Sequence, residues 1–175
     1  MTSEASRKLL EKVSASQYAL LRSLTDRETL DARWLDNAVA SVVKDRFALA
    51  RGFIKAARLL AKDRNPGIRR GAVSRAYYGA YHAARAYYFA IKRQDESDHK
   101  ELSRKVHDLT GKTHDVGNIL NELRHLREEA DYSPYPTPIG QPTFAAGEFE
   151  GIIKVSIRRA EDLVALFTKL ERERR

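Results

Sequence analysis

An all-α antiparallel bundle is the fold this sequence predicts, and three observations carry the expectation. Apolar residues recur at spacings of three and four through almost the whole chain, and no segment alternates convincingly at period two. The 175 residues suit one domain of roughly 100–200. The stretches between periodic segments are short, so consecutive helices should be antiparallel neighbours.

The first helix is expected over about residues 3–23, with Ser3 as candidate N-cap and Leu9, Leu10, Val13, Tyr18 and Leu21 as its apolar set. Thr25-Asp26-Arg27-Glu28 has capping-box form and should start a short turn or helix. A longer helix follows over about 35–63, with a stripe of Ala38, Val42, Val43, Phe47, Ala50, Phe53, Ile54, Ala57 and Leu60. Asn65-Pro66-Gly67 ends it, since proline disfavours helix at the residue before it and glycine frees the turn. The next helix spans about 68–93, and a polar loop, Gln94 to Asp98, leads to a short helix over about 99–109. After Gly111-Lys112-Thr113, a helix over about 114–130 turns Val116, Ile119, Leu120, Leu123 and Leu126 inward. Four of the five prolines crowd residues 133–143, which reads as a loop, and a final helix covers about 145–171. These spans divide the chain into an N-terminal helical extension (1–34), the bundle proper (35–171) and a charged tail (172–175).

Composition removes several function classes. With 42% apolar and 32% charged residues the chain is neither a disordered tail nor a membrane protein, and no run approaches the ~20 apolar residues of a membrane span. Met1 to Glu11 lacks the apolar core of a secretory leader. The absence of cysteine excludes disulfides, zinc–thiolate sites and thiol nucleophiles, and makes a reducing cytoplasm the expected compartment. The net charge of +8 is local. Ten basic residues against Asp45 and Asp63 give Lys44–Arg75 the entire excess, and the remainder carries 22 charges of each sign. Such a segment suits a polyanionic partner, nucleic acid or an acidic protein surface, although a solvated face of a basic protein would look the same.

The most informative stretch is Gly71–Ile91. Five of the eight tyrosines (Tyr77, Tyr78, Tyr81, Tyr87, Tyr88) lie within twelve residues, interleaved with alanines that allow close helix approach. Val73, Ala76, Tyr77, Ala80, Ala84, Tyr87 and Ile91 form an apolar stripe, and Arg75, Tyr78, His82 and Arg85 form a second one. Arg75 and His82 are nearly two turns apart, about 10.5 Å at 1.5 Å per residue, so a phosphodiester would fit between them. A tyrosine–alanine helix is also what the middle of any bundle looks like. Near the other end, Arg124 can pair with Glu128 and Arg127 with Asp131 at i,i+4, just before the proline loop. No compact His/carboxylate pattern suggests a metal, and neither a phosphate-binding glycine loop nor a nucleophile elbow is present. No helix–turn–helix pair with a polar recognition helix marks a duplex-DNA reader.

Three blocks in this order, Ser-Arg-Ala-Tyr-Tyr-Gly-Ala-Tyr-His-Ala-Ala-Arg-Ala (74–86), His99-Lys100, and 123–132 ending in Arg-x-x-x-Asp-Tyr, resemble the HEPN domain family over about residues 35–170. The resemblance implies an antiparallel helical bundle of HEPN type, here with an extra N-terminal helix, and commonly a homodimer. Many members are metal-independent ribonucleases, often toxins paired with a minimal nucleotidyltransferase antitoxin or parts of defence systems. Active members carry an Arg-x-His motif with about four to six intervening residues on a late helix. Here Asp131-Tyr132 stands where His-x-Tyr would fall, and the Arg and His with six residues between them are Arg75 and His82 on the earlier helix.

The implied catalytic set is therefore Arg75, His82, Arg127 and Asp131, with His82 as base or acid, the arginines binding charge and Asp131 orienting one of them. Tyr78, Arg85, Arg124, Arg69 and Arg70 are the expected RNA- or nucleotide-binding residues. Tyr132 is the candidate for modification by a nucleotidyltransferase partner. No cofactor and no metal are expected. The alternative reading is a non-catalytic module that binds such a partner.

Overall fold

A computed structural model describes residues 8, 10–27, 31–111, 114–132 and 146–174. Among the described residues, six long helices follow one another: α1 (Ala15–Asp26), α2 (Ala32–Leu60), α3 (Pro66–Lys92), α4 (His99–Thr110), α5 (Val116–Tyr132) and α6 (Ala146–Glu173). No strand occurs among the described residues. The proline-rich stretch and residues 1–7 lie outside them.

The central element is α3, which touches α2, α4, α5 and α6. Its alanines are the reason: Ala72, Ala76, Ala80, Ala83, Ala84 and Ala86 are fully buried, so neighbours approach the backbone on several sides at once. Gly79 marks the closest approach, because a Cβ there would stand 2.6 Å from Ile54 Cδ1 and 3.2 Å from the Ala50 carbonyl. Contacts fix the directions. Gly71 meets Leu60, Gly79 meets Ile54 and Arg46 meets Phe89, so α2 runs antiparallel to α3. Arg70 reaches Ala130, Ser74 reaches Asp131 and Tyr78 meets Arg127, so α5 does too. Arg69–Glu150, Tyr87–Phe167 and Arg174–Ala90 set α6 parallel to α3. The main core gathers around Tyr77, Phe89, Leu102, Leu120, Leu123 and Phe167, and a smaller one joins Val73, Ala130, Phe149 and Ile153.

Helix boundaries follow their caps. Asp31 Oδ1 accepts from Arg33 N, Asn65 Oδ1 from Gly67 N, and Asp98 Oδ1 from Lys100 and Glu101 N. Asn65-Pro66-Gly67 separates α2 from α3 but also begins α3, with Pro66 in the first turn, where its missing N–H costs nothing.

Two expectations at the N-terminus need correction. The helix expected over 3–23 is interrupted at Val13–Ser14, since Ser14 and Gln17 form a reciprocal capping box that starts α1. Thr25-Asp26 starts nothing: both residues close α1, and the Thr25 hydroxyl donates to the Arg22 carbonyl at 2.7 Å. Leu10 and Val13, ahead of the break, are buried in the main core.

Candidate nucleic-acid interface

One side of α3 carries a run of aromatic and basic side chains, with Tyr77 and Tyr81 buried and Arg75 exposed. Phe53 of α2 lies against both residues of the Arg75/His82 pair. The His82 ring stacks on it with centroids 5.3 Å apart and planes within 1°, and the Arg75 guanidinium sits 5.6 Å from its centroid, exposed to solvent. Tyr81 also meets His82, edge-on at 5.2 Å, and stacks on His99 at 4.3 Å. A close hydrogen bond joins the Tyr77 hydroxyl to His99 Nδ1, and the Tyr81 hydroxyl donates to the Ser97 carbonyl at 3.0 Å. Every buried phenol in this group therefore has a partner, as a water-poor site demands.

At the far end, Arg127 of α5 is clasped by three tyrosines, with its guanidinium 5.5 Å from Tyr78, 5.6 Å from Tyr77 and 5.7 Å from Tyr132. It donates to the Tyr78 hydroxyl at 3.3 Å and the Tyr132 hydroxyl at 3.4 Å, and its Nε lies 3.7 Å from Asp131 Oδ2. Asp131 also accepts from the Ser74 hydroxyl at 3.2 Å, which ties α5 to α3. Tyr132 is 72% exposed although its ring is held from beneath. An open aromatic plane backed by a fixed cation is a stacking surface for a planar ring.

The remaining candidates are engaged in contacts of their own, although Arg85 still lies 5.9 Å from the Tyr81 ring centroid and shares a cavity wall with His82. Arg85 is turned inward, where its fork meets both oxygens of Asp95, one at 2.7 Å. Asp95 Oδ1 also accepts from the buried Arg46 at 2.8 Å. Arg70 donates to the Glu129 and Ala130 carbonyls at 2.9 Å each, holding the last turn of α5. Arg69 pairs with Glu150 of α6 and lies over Phe149. Arg124 pairs with Glu128 at 2.8 Å. Sequence reasoning did not place Phe53 or His99 at the site. The stripe on α2 presents Phe53 as core, and His99 enters the sequence reading only within the His99-Lys100 block. Among the described residues, no three His, Asp or Glu side chains converge to hold a metal.

Burial, followed by the nearby Arg85 and Arg46 cations, pushes the His82 pKa down to about 4. Burial and Arg127 lower His99 as well. Both rings are therefore neutral near pH 7. Each protonates more readily unfolded, near pH 6.5, than folded, so stability is complete above that pH and is lost as pH falls toward 4. The urea midpoint should drop across that interval, and His82→Gln should flatten the drop. An equally steep profile in the variant would show that His82 contributes nothing to it.

A family model described as the HEPN domain matches residues 43–171. The chain belongs to the HEPN family. Membership ties this HEPN protein to nucleotide- and RNA-related functions, and HEPN domains often dimerise. No curated protein and no solved structure gives a match. No helix among the described residues is long and apolar enough to cross a membrane.

Proposed function

We propose that this HEPN protein binds single-stranded RNA through the face running from Arg75 to Tyr132. The observation that carries the reading is the exposed Tyr132 ring backed by Arg127, on the side of α3 that also bears Tyr78, Arg75 and His82. A base stacks on Tyr132, and the exposed Arg75 neutralises a phosphate at the rim of Phe53, where His82 also lies. Arg127 positions Tyr78 and Tyr132, and Asp131 orients Arg127.

Metal-independent cleavage is the reaction this face suits. Neutral His82 accepts the proton of a ribose 2′-hydroxyl, the 2′-oxygen attacks phosphorus, and Arg75 stabilises the phosphorane. The 5′-oxygen leaves, protonated by water, and a 2′,3′-cyclic phosphate remains. Labelled single-stranded RNA in EDTA tests this directly. Wild-type protein should cleave it, and His82→Ala and Arg75→Ala should each lose about a hundredfold or more in rate. Intact RNA with wild-type protein would leave binding without catalysis.

We place the protein in the cytoplasm as a homodimer, working as the toxin-like half of a pair with a minimal nucleotidyltransferase for which Tyr132 is the modification target. A second reading, a non-catalytic module for an acidic partner, is favoured by the groove between α2 and α6. It encloses about 1020 Å³ over Ile54 and Val164, and Arg51, Lys55 and Arg172 line it beside the ion pairs Arg58–Glu161 and Lys169–Glu173, which leaves a net positive rim.

A further inference from the structure

The groove between α2 and α6 does not end at Arg51. A second hollow of about 530 Å³ continues it toward the start of α2, and the two share Arg51, Thr168 and Arg172 as walls. Together they follow α2 from Asn37 to Arg58, about 30 Å at 1.5 Å per residue, the length of a helix of roughly 20 residues. The floor is apolar, lined by the buried side chains of Val43, Phe47, Ile54 and Val164. The small Ala165 and Thr168 keep the α6 wall low, and the Thr168 hydroxyl already donates to the Val164 carbonyl at 2.7 Å. Six cations, Lys44, Arg51, Lys55, Arg58, Lys169 and Arg172, line the two hollows against three carboxylates, Glu161, Glu171 and Glu173. Arg58 pairs with Glu161 at 2.5 Å and Lys169 with Glu173 at 3.7 Å, so the excess falls on the exposed Lys44, Arg51, Lys55 and Arg172. Even with Glu171 set against one of these, three positive charges remain. At roughly 100° per residue, Arg51 and Lys55 project about 160° away from Phe53 around α2, so the groove is a different surface from the aromatic face.

We infer that this groove seats an acidic amphipathic helix of a partner protein, its apolar stripe on the floor and its carboxylates along the rim. Helix-in-groove docking needs what the two hollows offer: an apolar trough between two helices, long enough for anchors at i, i+3 or i+4, and i+7. The rim charges select the sign of the partner's flanks and repel a basic one. A nucleic-acid backbone would use the cations but leave the apolar floor uncovered. A second copy of this chain is disfavoured by charge, because Lys44 to Arg58 belongs to the segment that holds the whole net charge of +8. The inference rests on the second reading above for the acidity of the partner, and it holds whether or not the aromatic face cleaves RNA.

Fluorescence anisotropy of the whole chain with labelled synthetic peptides tests the proposal. The probe is a stapled helix of about 20 residues with leucines along one stripe and glutamates flanking it. It should bind with Kd below roughly 50 μM, and the same helix with lysines for the glutamates, or serines for the leucines, at least about tenfold more weakly. Lys55→Glu and Arg172→Glu should each weaken the leucine–glutamate helix by about fivefold or more. Lys100→Glu makes the same charge change on α4, which packs against α3 and α5, and should alter the affinity by less than about twofold. Lys55 and Arg172 are exposed, so melting temperatures should match the wild type and show that the variants are folded. Equal binding of the serine helix would overturn the apolar seat and leave an acidic partner standing. Failure of both acidic helices to bind up to roughly 1 mM would overturn both readings. Equal weakening by Lys55→Glu and Lys100→Glu would assign the binding to overall charge and overturn the proposal. Displacement of the helix by a single-stranded oligonucleotide, with Lys55→Glu weakening both ligands alike, would make the groove a nucleic-acid track. A homodimer that Lys55→Glu dissociates would make it a contact between copies. Either of these results would also overturn the proposal.

Discussion

Asp95→Ala should destabilise the fold by about 3–5 kcal/mol, the cost of leaving buried charges without their counterion. The Asp95 carboxylate is 9% exposed and serves two arginines, Arg46 at 9% and Arg85 at 17%. Removing it leaves two guanidinium groups facing each other beneath the surface. Burial already pulls the Arg46 pKa below its usual value, with Asp95 the main force opposing that shift, so the loss falls on a group already short of solvation. Arg46 also donates to the Glu11 carbonyl, and Asp95 N donates to the Val13 carbonyl at 2.9 Å. The N-terminal segment therefore loosens with the core. In a chain of this length the melting temperature should fall by roughly 10 °C. Asp95→Asn keeps the acceptors and should cost less. A change under about 1 kcal/mol in Asp95→Ala would show that water reaches the pair and screens it.

That ion cluster also shows where sequence reasoning runs out. The helices were legible because their apolar period and their caps agree: Asn65-Pro66, Asp98 and Gly111 all stand at real boundaries. The i,i+4 pairs of α5 were legible for the same reason, since helix geometry alone brings Arg124 to Glu128 and Arg127 to Asp131. Asp95 was not. It sits in a polar loop, and only tertiary packing brings it to Arg46, 49 residues away. The same packing ties Arg85 to that loop. The break at Ser14 did have a signal, Ser14-Ala15-Ser16-Gln17, but helical periodicity on both sides concealed it. Phe53 belongs to a stripe that is otherwise core, and its neighbour Ile54 is the one that meets Gly79. Only the crossing of α2 over α3 decides which of two adjacent apolar residues goes inward.

Tyr132 is where the fold and the proposed chemistry can be separated by measurement. Stacking one base on an aromatic ring is worth about 1–3 kcal/mol, so Tyr132→Ala should weaken RNA binding by roughly 5–150-fold. Stability should hardly move, because the ring is exposed and its hydroxyl makes only a 3.4 Å bond to Arg127. Tyr132→Phe keeps the plane and the cation beneath it, and should retain most of the affinity. Arg127→Lys gives the complementary result. A lysine keeps the charge but lacks the planar fork that bonds Tyr78 and Tyr132 together, so both tyrosines lose their common anchor. Affinity should then fall although the net charge is unchanged, and the salt dependence of binding should keep its slope. A surface that attracted RNA by charge alone would respond the other way: Tyr132→Ala and Arg127→Lys would be neutral, and only Arg75→Ala would weaken binding and flatten the slope. Fluorescence anisotropy of a labelled oligonucleotide at several salt concentrations distinguishes the two patterns. The first requires the clasp of Tyr77, Tyr78 and Tyr132 around Arg127, and the second requires only that the face be basic.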